Sequence, residues 1–243
     1  MVSDTLALRF PLLETAIVAH RGAHCCGCQE NSLSAIAHAI ELGVPGIEVD
    51  VCNLRDGELV LSHDPYVSLA GATVPLPALT ALDLMPLLRV GGLALAQCAM
   101  ELVRSTNAFL CLDWKGYGDE ARVVQLIDEF GLTERTIVCS DQSEALARMK
   151  DERPDLLTGL SFQDRSVGER GDEVVERVRA VRADAVMLEQ SLASSAILGS
   201  LRERGAGVFV WTAKDADTLA RLADLAPDGI MSDALGDHLS LTS

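Results

Sequence analysis

From residue 108 onward the chain alternates short apolar runs with longer stretches of helical period. The runs "AFLCLD" (108–113), "TIVCS" (136–140), "TGLSF" (158–162), "DAVML" (184–188), "GVFVW" (207–211) and "DGIMS" (228–232) read as buried strands. Helical patterns around 119–130, 142–150, 172–182, 194–204, 215–224 and 234–240 follow them in turn. The first half starts the same way. "AIVAH" (16–20) is a short buried strand, and "SLSAIAHAIELG" places Leu33, Ile36, Ala37 and Ile40 on one helical face, with Asn31 or Ser32 as N-cap and Gly43 past the end. The strand "GIEVDV" (46–51) and a short companion "ELVLS" (58–62) flank the turn "RDG". A Pro- and Gly-containing stretch (64–92) and a helix near 96–105 complete this half.

Alternating apolar strands and helices predict a parallel sheet covered by helices, because parallel strands need crossover connections. Eight such units in 243 residues match a closed barrel better than an open doubly wound sheet. The expected fold is therefore α/β, a single (β/α)8 TIM barrel with a short insertion after the second strand, spanning residues 1–243 as one domain. No Gly-rich dinucleotide fingerprint and no phosphate-binding Walker loop is present.

Composition narrows the partners. No apolar run approaches the ~20 residues of a membrane-spanning helix, so no integral membrane contact is expected. With 36 acidic and 20 basic residues the formal charge is −16, which repels a nucleic-acid backbone. The opening "MVSDTLALRFPLLETAIVAH" lacks the pattern of an export signal, and the expected location is cytoplasmic. Of the seven cysteines, Cys52, Cys98, Cys111 and Cys139 lie in apolar segments and are expected to be buried thiols.

Catalytic groups of such barrels gather at the carboxyl ends of the strands. His20 ends the first strand; Glu48 and Asp50 lie two residues apart on the second, hence on one face, with Ile47, Val49 and Val51 facing the helices. Asp113 and Lys115 repeat the pattern on the third strand, and His63 closes the companion strand. Adjacent carboxylates on an apolar strand repel unless a cation neutralises them. All-oxygen ligation by Glu48, Asp50 and Asp113 suits one divalent cation, Mg²⁺ or Ca²⁺; the alternative is a structural bridge to an Arg or Lys across the barrel. His20 and His63 beside such an ion supply acid–base chemistry, and Arg21 can hold an anionic oxygen or serve as a rim ion pair. His38 and His238, on helical segments, read as structural. The loop "HCCGC" (24–28) has no second thiol pair and is a poor zinc module; its thiols are expected to border the mouth.

The segment "AHRGAHCCGCQENSLSAIAHAIELGVPGIEVDVCNLRDGELVLSHDP" resembles the glycerophosphodiester phosphodiesterase family, whose pattern is His-Arg-Gly, Glu-Asn-Thr opening a helix, Glu-x-Asp on the second strand, Asp-Gly in a turn and His-Asp. Further on, "LDWKG" (112–116), "SF" (161–162), "FVWT" (209–212) and "DGIMSD" (228–233) resemble later motifs of the family in register.

The resemblance implies metal-dependent hydrolysis of glycerophosphodiesters, small-molecule substrates, to glycerol 3-phosphate and an alcohol. It implies Glu48, Asp50 and Asp113 as ligands of one divalent metal and His20 and His63 as the acid–base pair. Arg21 and Lys115 would contact phosphate, Glu30 would sit near the metal or the glycerol hydroxyls, and Phe162 and Trp211 would wall the cleft. Asp113 stands where the family has Glu, one methylene shorter. "PYVSLAGATVPLPAL" lacks the family's Arg-Thr pair in the region that helps choose the alcohol. Two other readings share the residues: a lysophospholipase D-like or other phosphodiesterase, and a non-catalytic metal- or thiol-binding barrel.

Overall fold

Side-chain alternation on eight parallel strands organises the molecule. The computed structural model describes residues 15–25, 27–163 and 171–235. The barrel strands are β1 (Ala16–Ala19), β2 (Gly46–Asn53), β7 (Phe109–Trp114), β8 (Thr136–Ser140), β9 (Leu157–Phe162), β10 (Ala185–Glu189), β11 (Gly207–Ala213) and β12 (Gly229–Ser232). Each pairs in parallel with its neighbour, and β1 pairs with both β12 and β2, which closes the ring.

Helices α1 (Leu33–Glu41), α3 (Ala96–Arg104), α4 (Glu120–Glu129), α5 (Ser143–Glu152), α6 (Gly171–Ala180), α7 (Ser195–Glu203) and α8 (Ala216–Ala223) connect successive strands. Outward residues such as Ile47, Val49, Val51, Leu110 and Leu112 pack with helix residues such as Ile36, Met100 and Ile127 in one large apolar layer. Ser32, not Asn31, caps α1, its hydroxyl accepting the Ala35 N–H at 3.2 Å.

The inward positions form a second, smaller core that includes Val18, Phe109, Cys111, Ile137, Met187 and Phe209. Phe109 and Phe209 meet edge to face, centroids 6.3 Å apart. Each needs a gap in the facing strand. A Cβ on Gly46 would fall 2.4 Å from the Phe109 ring, and one on Gly229 2.4 Å from the Phe209 ring, so glycine on β2 and β12 makes room for the two aromatics.

Between β2 and β7 the chain leaves the barrel. β2 pairs antiparallel with β3 (Leu59–Leu61), which pairs with β6 (Ala94–Leu95), while β4 (Tyr66–Leu69) and β5 (Ala72–Pro75) form a separate hairpin followed by α2 (Met85–Arg89). This insertion has its own apolar cluster of Cys52, Leu54, Val60, Leu76 and Leu84. The expected barrel and insertion are both present. Cys52, Cys111 and Cys139 are buried, but Cys98 is exposed, on the outer side of α3. The opening residues 1–14, Cys26, His238 and most of the expected helix at 234–240 lie outside the described residues.

Candidate active site

Climbing each strand by twos from the Phe109–Phe209 layer leads to the site. On β2 the inward series is Gly46, Glu48, Asp50; on β7 it is Phe109, Cys111, Asp113; on β1, Ala16, Val18 and then His20. Strand register sets Asp50 directly beside Asp113, and Glu48 beside Cys111. The carboxylate oxygens of Glu48, Asp50 and Asp113 lie within 4.8 Å of one another. Their cavity is also lined by His20, Arg21, His63, Lys115 and Trp211. Residues taken from five separate stretches of chain thus converge on one opening.

Glu48 and Asp50 are both 2% exposed. Glu48 accepts the backbone N–H of Arg21 at 2.8 Å, and the Arg21 Nε lies 3.2 Å from Asp50 Oδ2. Lys115 Nζ donates to Asp113 Oδ2 at 2.6 Å and sits 3.5 Å from Asp50 Oδ1. Three carboxylates therefore face two fixed cations. The shortfall shows in the proton affinities: burial first, then the charges of Asp50 and Asp113, pushes the Glu48 carboxyl well above the usual carboxylate range. Burial also raises Asp113 despite Lys115. Lys115 is raised in turn, burial being outweighed by Asp113 and Asp50. An all-oxygen trio with excess negative charge at a barrel mouth fits a hard divalent cation.

His20 pairs through Nδ1 with Asp233 Oδ1 at 2.8 Å, and its Nε2 stands 3.5 Å from Thr212 Oγ1. An ionised Asp233 can only accept, so Nδ1 carries the proton and Nε2 is left for chemistry in the cavity. Burial raises the Asp233 carboxyl, but hydrogen bonds and charge from His20 and His24 more than offset that, and the net shift is downward. His63, 45% exposed, pairs through Nδ1 with the adjacent Asp64 at 2.9 Å. The two imidazoles thus approach from opposite supports, one on the barrel and one on the insertion.

The loop between β1 and α1 is held to the acids by its turns. Arg21 and Asn31 both adopt positive φ, 55° and 53°, and the Asn31 N–H donates to the Arg21 carbonyl at 3.0 Å. Glu30 is exposed and binds Arg21 Nη1 at 2.9 Å, so it steadies the guanidinium at the rim.

Of the expected wall residues, Trp211 lines the cavity and Phe162 does not. Phe162 follows Ser161 on β9, and alternation sends Ser161 inward and Phe162 out into the layer beneath the helices, where the Arg177 guanidinium lies 4.7 Å over its ring. The inward residues there are Ser161 and Gln163. Asp233, His24 and Asn31 have site contacts to which sequence reasoning attaches no such role. Asp233 has a signal, since it lies two residues after the inward Met231 at the end of the last strand.

A closed parallel barrel with acids and imidazoles gathered at its carboxyl-end mouth defines a TIM-barrel enzyme. The chain belongs to the glycerophosphoryl diester phosphodiesterase family, whose model matches residues 20–97 and 112–237. It is 25% identical over 239 residues to the "Glycerophosphodiester phosphodiesterase" of Caldanaerobacter subterraneus subsp. tengcongensis, covering 91% of this chain and 95% of that one. The fold is shared with the crystal structure of a glycerophosphodiester phosphodiesterase from Thermotoga maritima, at a TM-score of 0.77 and 24% identity over 93% of this chain and 98% of the other. It is also shared with an Oleispira antarctica phosphodiesterase solved in complex with the product sn-glycerol-3-phosphate, at 0.78 and 19% over 95% and 98%.

Proposed function

We propose that the protein hydrolyses glycerophosphodiesters to glycerol 3-phosphate and an alcohol, using one divalent cation, Mg²⁺ or Ca²⁺, held by Glu48, Asp50 and Asp113. The observation that carries this reading is the cavity that joins that trio to two imidazoles, His20 and His63. Family membership and the product held by the Oleispira relative support the substrate class.

The bound cation supplies Lewis-acid stabilisation of charge on a phosphoryl oxygen. The remaining work falls to side chains. Arg21 is tethered to Asp50 and Glu30, and Lys115 to Asp113, and these tethers support a role for both cations in holding the phosphoryl oxygens as negative charge builds up on them. One histidine takes the proton of the attacking hydroxyl, most directly the neighbouring hydroxyl of the glycerol itself, and the other protonates the departing alkoxide. Water then opens the cyclic phosphate with the two roles reversed. Trp211 offers an apolar wall to the glycerol or the alcohol.

Cys28, Cys52, Cys98, Cys111 and Cys139 are thiols, which fits the reducing cytoplasm in which we place the chain. No helix among the described residues is long and apolar enough to cross a membrane.

The deciding experiment is glycerol 3-phosphate release from glycerophosphocholine and glycerophosphoethanolamine, with Mg²⁺, Ca²⁺ or chelator. Cation-dependent release abolished in His20→Ala supports the proposal. Release from lysophospholipids alone moves the substrate class, and silence on every diester overturns it.

A further inference from the structure

The hydrolysis proposed above leaves His24 without a task, yet His24 is tied to the site. Its Nε2 lies 3.1 Å from the same Asp233 oxygen that binds His20 Nδ1 at 2.8 Å. One ligand atom from each of His20, His24 and Asp233 lies within 4.8 Å of the other two, a grouping separate from the carboxylate trio. The His20, His24 and Asp233 side chains are 13%, 25% and 25% exposed, so the cluster is anchored but reachable by a solvated ion.

We propose that His20, His24 and Asp233 form a second metal site that takes a borderline transition ion, Zn²⁺ foremost, and that filling it stops the enzyme by taking His20 out of proton transfer.

Donor chemistry selects the ion. Two imidazole nitrogens and one carboxylate, with a coordination position left to water, are a donor set suited to zinc, whereas Mg²⁺ and Ca²⁺ favour oxygen. The two sites therefore sort ions by softness within one mouth. Ligands about 2.0–2.2 Å from zinc, at angles between about 90° and tetrahedral, are about 2.8–3.6 Å apart. The two histidine–aspartate separations, 2.8 and 3.1 Å, fall within that range, and the two rings would turn from the carboxylate oxygen toward a shared ion.

The protons account for the inhibition. With no ion bound, His20 carries its proton on Nδ1 and presents a lone pair at Nε2. Zinc takes the Nδ1 lone pair, so the ring proton moves through solvent to Nε2, and the neutral ring neither gains nor loses a proton. His20 then has an N–H where a base needs a lone pair, and its Nδ1 no longer contacts Asp233 except through the ion. His24 makes the matching tautomer change at Nε2.

The test dialyses the full chain against Zn²⁺ with Mg²⁺ in large excess to hold the carboxylate trio, comparing wild type with His24→Gln. Expected is one extra zinc per chain in the wild type, and a zinc concentration for half-inhibition about tenfold or more higher in the variant. Each protein's turnover without zinc sets the reference for its own inhibition curve. Equal zinc uptake by the two proteins overturns the proposal. Imidazole NMR signals of wild-type His20 and His24 provide a check that needs no variant: zinc should shift both, and failure to move them also overturns the site. If the chain cleaves no diester, the uptake and NMR results still decide the metal site, while the hydrolytic reading fails on its own assay.

Discussion

The Asn31 side chain grips Asp50 from both ends. Its amide nitrogen donates to Asp50 Oδ2 at 2.8 Å while its carbonyl oxygen accepts the Asp50 backbone N–H at 3.0 Å. Both residues are buried, so this pair holds the carboxylate at one orientation and connects the β1–α1 loop to β2. Removing the amide leaves a buried N–H and a buried carboxylate with unmet demands. Asn31→Ala should lower cation affinity about 10- to 100-fold, with a smaller effect on turnover at saturating cation. Calorimetric titration with Mg²⁺ or Ca²⁺ measures it; unchanged affinity would assign Asn31 to loop geometry alone.

Proton transfer should depend on both imidazoles. His20→Gln and His63→Gln are each expected to cut turnover about 10²- to 10⁴-fold with cation affinity nearly intact. Steady-state kinetics at saturating cation tests this. A variant that loses only substrate affinity shows that its ring binds and does not move protons.

Cation binding and pH should be linked through Glu48, whose carboxyl is held well above the ordinary range by burial and then by Asp50 and Asp113. An acid with a raised folded-state pKa binds more protons folded than unfolded, so stability without the cation falls as pH climbs from the ordinary carboxylate pKa through the raised one. The cation needs the ionised form, so its stabilising effect grows over the same window. Melting temperatures in chelator and in Mg²⁺, compared from about pH 5 to about pH 8, should diverge as pH rises. A constant gap argues against this linkage.

The floor of the barrel makes a stability prediction free of chemistry. Gly46→Ala drives a Cβ to 2.4 Å from the Phe109 ring and should cost about 2 kcal/mol or more. Gly199, inside α7, is the control, because a methyl group there would meet nothing within 4 Å. Gly199→Ala should stabilise by about 0.5–1 kcal/mol. Denaturant titration of both separates crowding from general sensitivity.

Trp211 and Phe162 should behave oppositely. Trp211→Leu is expected to raise KM or alter the preferred alcohol with little loss of stability, because the ring faces the cavity. Phe162→Leu should leave kinetics alone and cost about 1 kcal/mol of folding free energy, because the ring lies under α6. Parallel kinetics and unfolding curves decide the assignment.

Period-two alternation explains why so much of this is legible in the sequence. Glu48 and Asp50 on an otherwise apolar strand share a face, and Asp113 and Lys115 on the third strand do the same, so the acid trio follows once the strands are placed in a barrel. Phe162 departs from expectation because the Ser-Phe resemblance points it into the cleft, whereas alternation puts Ser161 inside. Asp233, His24 and Asn31 escape sequence reasoning for a different reason. The contacts concerned span 213, 209 and 19 residues of chain, and only closure of the ring brings β12 to β1. Cys98 misleads because an apolar neighbourhood in sequence does not say which side of a helix a residue occupies.

The excursion between β2 and β7 divides labour in a way that bears on how such an enzyme diversifies. The acids are rooted in barrel strands, whereas His63 rides on a segment with its own apolar nucleus around Leu54, Val60, Leu76 and Leu84. Lengthening, shortening or transplanting that segment changes what stands over the mouth without disturbing the ring beneath it. Selectivity for the departing alcohol can thus drift over generations as long as His63 itself is kept, while the acids rooted in the barrel are inherited unchanged.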